Sequence, residues 1–311
     1  METQQKERDV MEDQPATVKP KGRHIAYSEL SDFRQCPHKW QLGYRDRWTP
    51  AEVSASLNKG RLFHEVMEAH YRPEAVDSIT VADLLYAPDG TQDEVQNLVE
   101  WMYDGYCERY AQDSEWEILE VEKKSEVGLI IPGGTRRSPI KLKIKIDQLR
   151  RHIPTGKFWL WDFKTGSRFP NELGLDLDDQ LTLYQWGYEQ LGYEIEGLVY
   201  DFVRTQRNKG PMELDARFIR IPVYRSPEQL QNTAYDAWRT AIRMSHLTRG
   251  VAERATSSRM CIERCSFTES CLAGRKGLDE EEFMRSLGYT IYDPEAKKVE
   301  EATVSEDDDL I

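Results

Sequence analysis

Asp162 and Lys164 stand two residues apart in the segment Trp159-Leu-Trp-Asp-Phe-Lys-Thr-Gly166. A strand repeats its side-chain direction every second residue. Trp159, Trp161 and Phe163 therefore take one face, and Leu160, Asp162 and Lys164 the other. Charges in so apolar a strand are costly unless something holds them there. Asp147 ends a second alternating stretch, with Leu142, Ile144 and Ile146 on one face and Lys143, Lys145 and Asp147 on the other. If the two strands pair, both carboxylates meet at one edge of a sheet, where they repel unless a cation joins them. Mg²⁺ takes oxygen ligands and keeps several waters. Lys164 would then lie beside the metal, able to orient a water or stabilise developing charge. This is the arrangement that metal-assisted phosphodiester hydrolysis needs. Taken alone, D-x-K reads more plainly as a salt pair at a strand end.

A second group is made of cysteines. Cys261-x₃-Cys265-x₅-Cys271 is compact, and Cys36 lies far earlier in the chain. Four thiolates can make a tetrahedral zinc site or hold an iron–sulfur cluster, and spacing alone does not choose between them. Joining Cys36 to the later trio would close a loop of most of the chain, a staple whose loss should destabilise. Cys107 is left over and reads as a small buried apolar residue.

The elements that must position these groups follow from periodicity and punctuation. Ser28 to Trp48 reads as a helix capped by Ser28, followed by helices over Ser56–Tyr71 and Glu94–Ala111. Trp116 to Leu129 reads as one long strand, with a turn at Pro132-Gly133-Gly134. Strands follow over Pro139–Arg151 and Lys157–Thr165, then a helix over Leu177–Gly192. Strands at Ile195–Arg204 and Ala216–Tyr224 precede a long helix over Ser226–Arg249. The order predicts an α/β protein with a mixed sheet flanked by helices.

The 311 residues suffice for one large domain, and the net charge of −13 at first argues against nucleic acid. Much of that charge sits at the ends. Residues 279–311 alone hold twelve acidic and three basic residues. Residues 1–22 and 279–311 read as solvated acidic tails around a near-neutral domain at 23–278, which can still carry a basic groove. Arg204 and Arg207 near a hairpin tip could contact a phosphate backbone. So could Arg239, Arg243, Arg249, Arg254 and Arg259 along the last helix and its exit. Tyr44, Trp48 and Tyr71 could stack on bases. A solvated face is the plainer reading of each. The N-terminal stretch lacks the apolar core of a signal peptide, and no run of about 18 apolar residues exists. The expectation is an intracellular, cytoplasmic protein without a membrane partner. No G-x₄-G-K-[ST] loop is present, so unwinding of DNA would fall to another protein.

Four segments occur in a telling order: Gly60-Arg-Leu-Phe-His64, Ile144-Lys-Ile-Asp147, Trp161-Asp-Phe-Lys-Thr-Gly166 and Gln180-Leu-Thr-Leu-Tyr184. Over roughly residues 26–275 the chain resembles RecB-type nucleases of the PD-(D/E)XK superfamily. The resemblance implies a restriction-endonuclease-like fold and cleavage of DNA with Mg²⁺ or Mn²⁺. It implies metal ligation by His64, Asp147, Asp162 and the carbonyl of Phe163, with Lys164 as the catalytic lysine. Gly60 would permit close approach one turn before His64. Gln180 and Tyr184 share one helix face and look like the family's QxxxY motif, which contacts DNA and supports the site. Glu120 or Glu122 could add a carboxylate.

The cysteine pattern is similar to that of an iron–sulfur subset, as in the AddB nuclease domain and the CRISPR adaptation nucleases. In that subset one cysteine precedes the core and three follow it. That resemblance implies a [4Fe–4S] cluster on Cys36, Cys261, Cys265 and Cys271, joining the N- and C-terminal segments. This chain has C-x₃-C where the family often has C-x₂-C, and zinc stays open as the alternative. The activity implied is an exonuclease acting on single strands or resected ends in recombination, repair or phage DNA processing. A helicase or recombination protein would be its partner, and host cytoplasm its setting if phage-encoded. A nuclease trimming CRISPR spacer precursors and an inactive DNA-binding module are the alternatives.

Overall fold

The structure is a computed structural model that describes residues 22–50, 55–72, 79–133, 137–207, 212–247, 252–255 and 258–293. The expected tail at 1–22 lies outside these apart from Gly22, and so do residues 294–311 and Gly134. In chain order the elements are β1 (Arg23–Ala26), α1 (Tyr27–Gln35), α2 (Pro37–Trp40), a π-helical turn (Gln41–Arg45) and β2 (Trp48–Thr49). Then come α3 (Ala55–Tyr71), α4 (Val81–Leu85), α5 (Glu94–Arg109), β3 (Trp116–Val121), β4 (Lys124–Ile130), β5 (Arg137–Lys145), β6 (Gln148–His152) and β7 (Phe158–Gly166). The chain continues through α6 (Glu172–Asp176), α7 (Asp179–Gln190), β8 (Ile195–Arg204), a 3₁₀ turn (Leu214–Ala216), β9 (Phe218–Val223) and α8 (Pro227–His246). It ends with α9 (Ser258–Arg264), α10 (Thr268–Arg275), α11 (Glu280–Ser286) and β10 (Thr290–Ile291).

Five strands form the main sheet in the order β3-β6-β7-β8-β9, and β1-β5-β4 form a second. Pairing is mixed: β7 runs parallel to β8, while β6 and β9 run antiparallel to their neighbours. The α/β architecture expected from the sequence, a restriction-endonuclease-like mixed sheet between helices, is present.

Two stretches expected as single strands are each broken, at one level of the sheet. Trp116–Leu129 divides at Glu122, whose φ of +50° is the left-handed region that a non-glycine residue rarely enters. Pro139–Arg151 divides at Ile146–Asp147. The breaks are tied together: Glu122 N–H donates to the Asp147 carbonyl at 2.8 Å. Each chain segment thus leaves one sheet and joins the other at a shared corner. Ile140, Leu142, Ile144 and Ile146 alternate strictly up to the bend and only Leu149 beyond it is out of phase, so periodicity read a single strand.

The first helix also differs from expectation. Its N-cap is Ala26, with no side-chain cap, and it stops at Cys36, which is extended at φ −160° and ψ 109°. The residue before a proline avoids helical geometry, and Pro37 opens α2. By contrast α8 begins as expected, with Ser226 and Gln229 closing a capping box and Pro227 in the first turn.

The main sheet is covered on both faces. Trp159, Trp161 and Phe163 pack against Phe63, Val66 and Met67 of α3 and Val99, Met102 and Tyr106 of α5. Leu160 faces Leu181, Tyr184 and Tyr188 of α7 and Ala234 and Ala237 of α8. Helix α7 lies so close to β5 that a Cβ at Gly187 would fall 2.0 Å from Ile144 Cδ1. Behind the aromatic face, fully buried Asp201 accepts hydrogen bonds from Tyr106 (2.8 Å), Trp161 Nε1 (2.9 Å) and Arg220 Nε (2.8 Å). Arg150 is buried over the Trp161 ring at 4.0 Å.

Residues 279–293, expected within an acidic tail, are partly built into the fold. Met284 of α11 is buried with Leu42, Trp48 and Phe267, and β10 pairs antiparallel with β2. Asp279 caps α11 and its three glutamates sit in the first turn. Negative charge there favours the positive end of the helix dipole. The acidic run is a helix start rather than a solvated tail. Among the described residues no helix is long and apolar enough to cross a membrane.

Candidate active site

The corner collects charge. Strands β6 and β7 pair antiparallel with Gln148 opposite Trp161, and one step further that register sets Asp147 opposite Asp162. Asp147 and Asp162 are 9% and 5% exposed. The Phe163 N–H donates to Asp147 Oδ2 at 2.6 Å, which orients that carboxylate and leaves its other oxygen for His64. His64 reaches in from α3 with Nδ1 3.4 Å from Asp147 Oδ1 and 4.0 Å from Glu122 Oε1. Donor atoms of His64, Glu122 and Asp147 lie within 4.8 Å of one another, a spacing fit for one cation.

Lys164 Nζ pairs with Asp162 Oδ2 at 2.8 Å and is 3.5 Å from Gln180 Oε1. Gln180 in turn donates from Nε2 to the Tyr184 hydroxyl at 3.4 Å. The helix carrying both begins at Asp178, whose carboxylate accepts from the Gln180 and Leu181 N–H groups. Buried Arg225 donates to Thr182 Oγ1 at 2.8 Å and to the Leu175 carbonyl, locking α6 onto α7. The candidates His64, Asp147, Asp162, Phe163, Lys164, Gln180 and Tyr184 are therefore one contiguous group.

The electrostatics suit a bound cation. Burial pushes the Asp162 carboxyl up to about 6, only partly opposed by Lys164. Burial also raises Glu122, against the pull of Lys145. Burial would lower the His64 imidazole, but Asp147, with Asp162 and Glu122, outweighs it and the net shift is upward. Burial would likewise lower Lys164, yet the ion pair with Asp162 more than reverses it, so the ammonium stays charged. His64, Glu122 and Asp147 make a hard-cation donor set, with Asp162 on the neighbouring strand and paired with Lys164. His64, Asp147 and Asp162 could hold Mg²⁺ or Mn²⁺, and Glu122 adjoins them.

The choice between Glu120 and Glu122 is settled by position. Glu120 points away and accepts from Tyr188 (3.1 Å) and Tyr193 (2.9 Å). The left-handed backbone at Glu122 turns its side chain to the corner instead. Gly60 differs from expectation: a Cβ there would meet Thr165 Oγ1 at 3.5 Å, an ordinary contact, so close approach does not require glycine.

Several expected nucleic-acid contacts are otherwise engaged. The Arg207 fork bonds Asn97 Oδ1 (2.9 Å) and the Asn97 carbonyl (2.6 Å) and lies over Trp101. Arg204 Nε donates to the Ser167 carbonyl at 3.1 Å. Arg239, Arg254 and Arg259 pair with Asp236, Glu280 and Glu263, and Arg243 lies over Phe33. Arg249 is outside the described residues. Trp48 is buried and Tyr71 stacks on Phe163, leaving Tyr44 exposed.

Cys36, Cys261, Cys265 and Cys271 line one cavity of about 290 Å³, walled by Leu42, Met260 and Phe267. Burial raises the Cys265 thiol, with Lys39 acting in the opposite sense. Lys39, Arg254 and Arg275 also border the cavity, so cations stand where four thiolates would need them. Four thiols are a soft-metal donor type, and among the described residues the donor atoms that lie within 4.8 Å of one another here are those of His38, Cys271 and Glu280. Cys107 lies apart on α5, and its thiol is raised by burial. The same region is joined without any metal: His38 Nε2 is 2.9 Å from Glu280 Oε1, and Arg254 pairs with the other Glu280 oxygen at 3.0 Å.

Solved structures align with the chain at low identity. One, a "Putative exonuclease" from Eubacterium rectale, has 16% identity and a TM-score of 0.48, covering 78% of this chain and 89% of that one. Another, SSO0001, has 14% identity and a TM-score of 0.38, covering 86% and 95%. No curated protein matches the sequence. Residues 24–272 contain the whole corner, the QxxxY helix and the four converging cysteines. That span matches the family model described as the PD-(D/E)XK nuclease superfamily, and to that superfamily the chain belongs.

Proposed function

We propose that this protein is a divalent-metal-dependent deoxyribonuclease of the RecB type, an exonuclease on single-stranded or resected DNA ends. The observation that carries the reading is the corner itself, where His64 and Asp147 converge beside an Asp162–Lys164 pair. His64, Asp147, Asp162 and the Phe163 carbonyl would hold Mg²⁺ or Mn²⁺, with Glu122 as a further carboxylate. When bound, the cation polarises a phosphoryl oxygen and acidifies water at neutral pH. Lys164, kept charged by Asp162, orients the attacking water and stabilises charge developing on the phosphate. Gln180 positions Lys164, and Tyr184 positions Gln180 through the bond between them.

The cysteine cavity is assigned to a [4Fe–4S] cluster with a structural role, zinc being the alternative. Iron and sulfide analysis with a visible absorption spectrum separates the two. Recombination, repair or phage DNA processing is the setting this activity suits, with unwinding left to a separate protein. The test is cleavage of end-labelled single-stranded and duplex DNA by anaerobically purified protein. Cleavage that stops in chelator and returns with Mn²⁺, releasing the label as short products, supports an exonuclease. Cleavage that ignores chelator would overturn the metal assignment.

A further inference from the structure

The outer face of the β1-β5-β4 sheet carries a charge opposite to that of the molecule. Along β5 the inner residues Ile140, Leu142 and Ile144 are buried, while Arg137, Lys141, Lys143 and Lys145 point outward with Pro139. Strand β4 adds Lys124 directly opposite Lys145, and β1 adds His24 beside Lys141. Like charges set opposite one another in a sheet are destabilising. Exposed relief on this face comes from Glu126, which contacts His24 (2.6 Å) and Lys141 (3.8 Å). Among the described residues Lys124 and Lys143 form no ion pair. A solvated surface ordinarily mixes signs. Among the described residues the cations of this face outnumber the carboxylates that meet them, Glu126 and Glu122, in a chain whose net charge is −13.

The row also leads somewhere. Its Lys145 end pairs with Glu122, and Glu122 adjoins His64 at 4.0 Å. From Arg137 to Lys145 it runs about 27 Å, with outward side chains about 6.8 Å apart. We infer that this face is a track for the phosphate backbone of the DNA strand engaged at the corner. The inference rests on the nuclease reading and adds where the substrate lies beyond the cleaved bond. Base identity plays no part, because lysines on a flat strand face meet phosphates rather than base edges.

Lys141→Glu/Lys143→Glu tests it, since neither residue belongs to the corner, whereas Lys145 does through Glu122. Lys157→Glu/Lys276→Glu, elsewhere on the surface and given no role in binding, changes the net charge equally and serves as control. Binding is measured without divalent cation, against a single-stranded oligonucleotide long enough to span the face. The expected result is a Kd raised at least about tenfold and a log–log salt slope shallower by about 1.4, two phosphate contacts of a single strand. The control variant should bind as the wild type does. Turnover of an oligonucleotide too short to reach Lys143 should be unchanged. Lys141→Ala/Lys143→Ala should shift binding in the same direction by less, which guards against misfolding by charge reversal. An unchanged Kd and slope in the charge-reversed variant of a wild type that cuts DNA would overturn the track alone. Equal weakening in the control would overturn it as well. A wild type that neither binds nor cuts DNA would remove the nuclease reading and the track together.

Discussion

Asp162 is the residue on which the proposed chemistry turns. Its carboxyl is pushed to about 6 from an ordinary 3.8, chiefly by burial. A carboxyl raised on folding contributes stability that is present below its unfolded value and is lost as pH climbs through the folded one. In the metal-free protein this contribution should therefore fade between about pH 4 and pH 6. A divalent cation on these carboxylates would remove the penalty. Mn²⁺ should raise Tm more at about pH 7.5 than at about pH 5, as calorimetry would show. Equal increments at both would contradict the assignment. Glu122 makes a second residue-scale prediction. Replacing it with Gln keeps the volume and removes the charge beside His64 and Asp147. Mn²⁺ affinity by titration calorimetry should fall about tenfold, and an unchanged affinity would show that Glu122 serves only Lys145.

At the scale of elements, the site exists because β3/β4 and β5/β6 bend together and because α7 packs tightly on β5. Gly187→Val should force α7 away from Ile144, at a cost of about 1–3 kcal/mol. Gln180 would move off Lys164, so cleavage should drop more than stability alone explains. Denaturant melts beside initial rates would check this, and a rate equal to wild type would contradict it. On the opposite side, Asp201→Ala removes the buried acceptor shared by Tyr106, Trp161 and Arg220 Nε and leaves Arg220 with Asp113 as its one carboxylate partner, a change denaturant melts would measure. A loss of about 3–5 kcal/mol is expected from a broken buried pair.

The elements also mark what was legible in advance. Period-two alternation placed β7 with its aromatics on one face and Asp162 on the other, and the pairing that joins Asp147 to it followed. The bend did not show, because Glu122 offers no glycine to announce a left-handed backbone. Glu122 could therefore not be preferred over Glu120. The bonds that engage Arg207 and bury Trp48 depend on long-range packing, which local pattern does not encode. The Asp201 network was silent for the same reason.

At the scale of the molecule, the segment around Cys36 and the segment from Arg254 to Arg275 meet around the cysteine cavity. The three clustered late cysteines with Cys36 near the other end suggested a metal from the residues themselves, and the resemblance supplied the cluster type. The α11–β10 segment was hidden by its acidity, although Asp279 and three glutamates are what a helix start favours. If the cavity holds a cluster, Cys271→Ser should lose visible absorbance and lower Tm, while Cys107→Ser should keep both. Retained colour and Tm in Cys271→Ser would remove that cysteine from the centre.

The most direct measurement is single-turnover cleavage of end-labelled single-stranded DNA with Mn²⁺, comparing wild type with Asp162→Ala and recording DNA binding for both. Cleavage by the wild type, with binding but no cleavage in the variant, is the result expected if the corner is the catalytic centre. Equal cleavage by both proteins would place the chemistry elsewhere. Binding without cleavage by the wild type would leave a DNA-binding module in a nuclease fold.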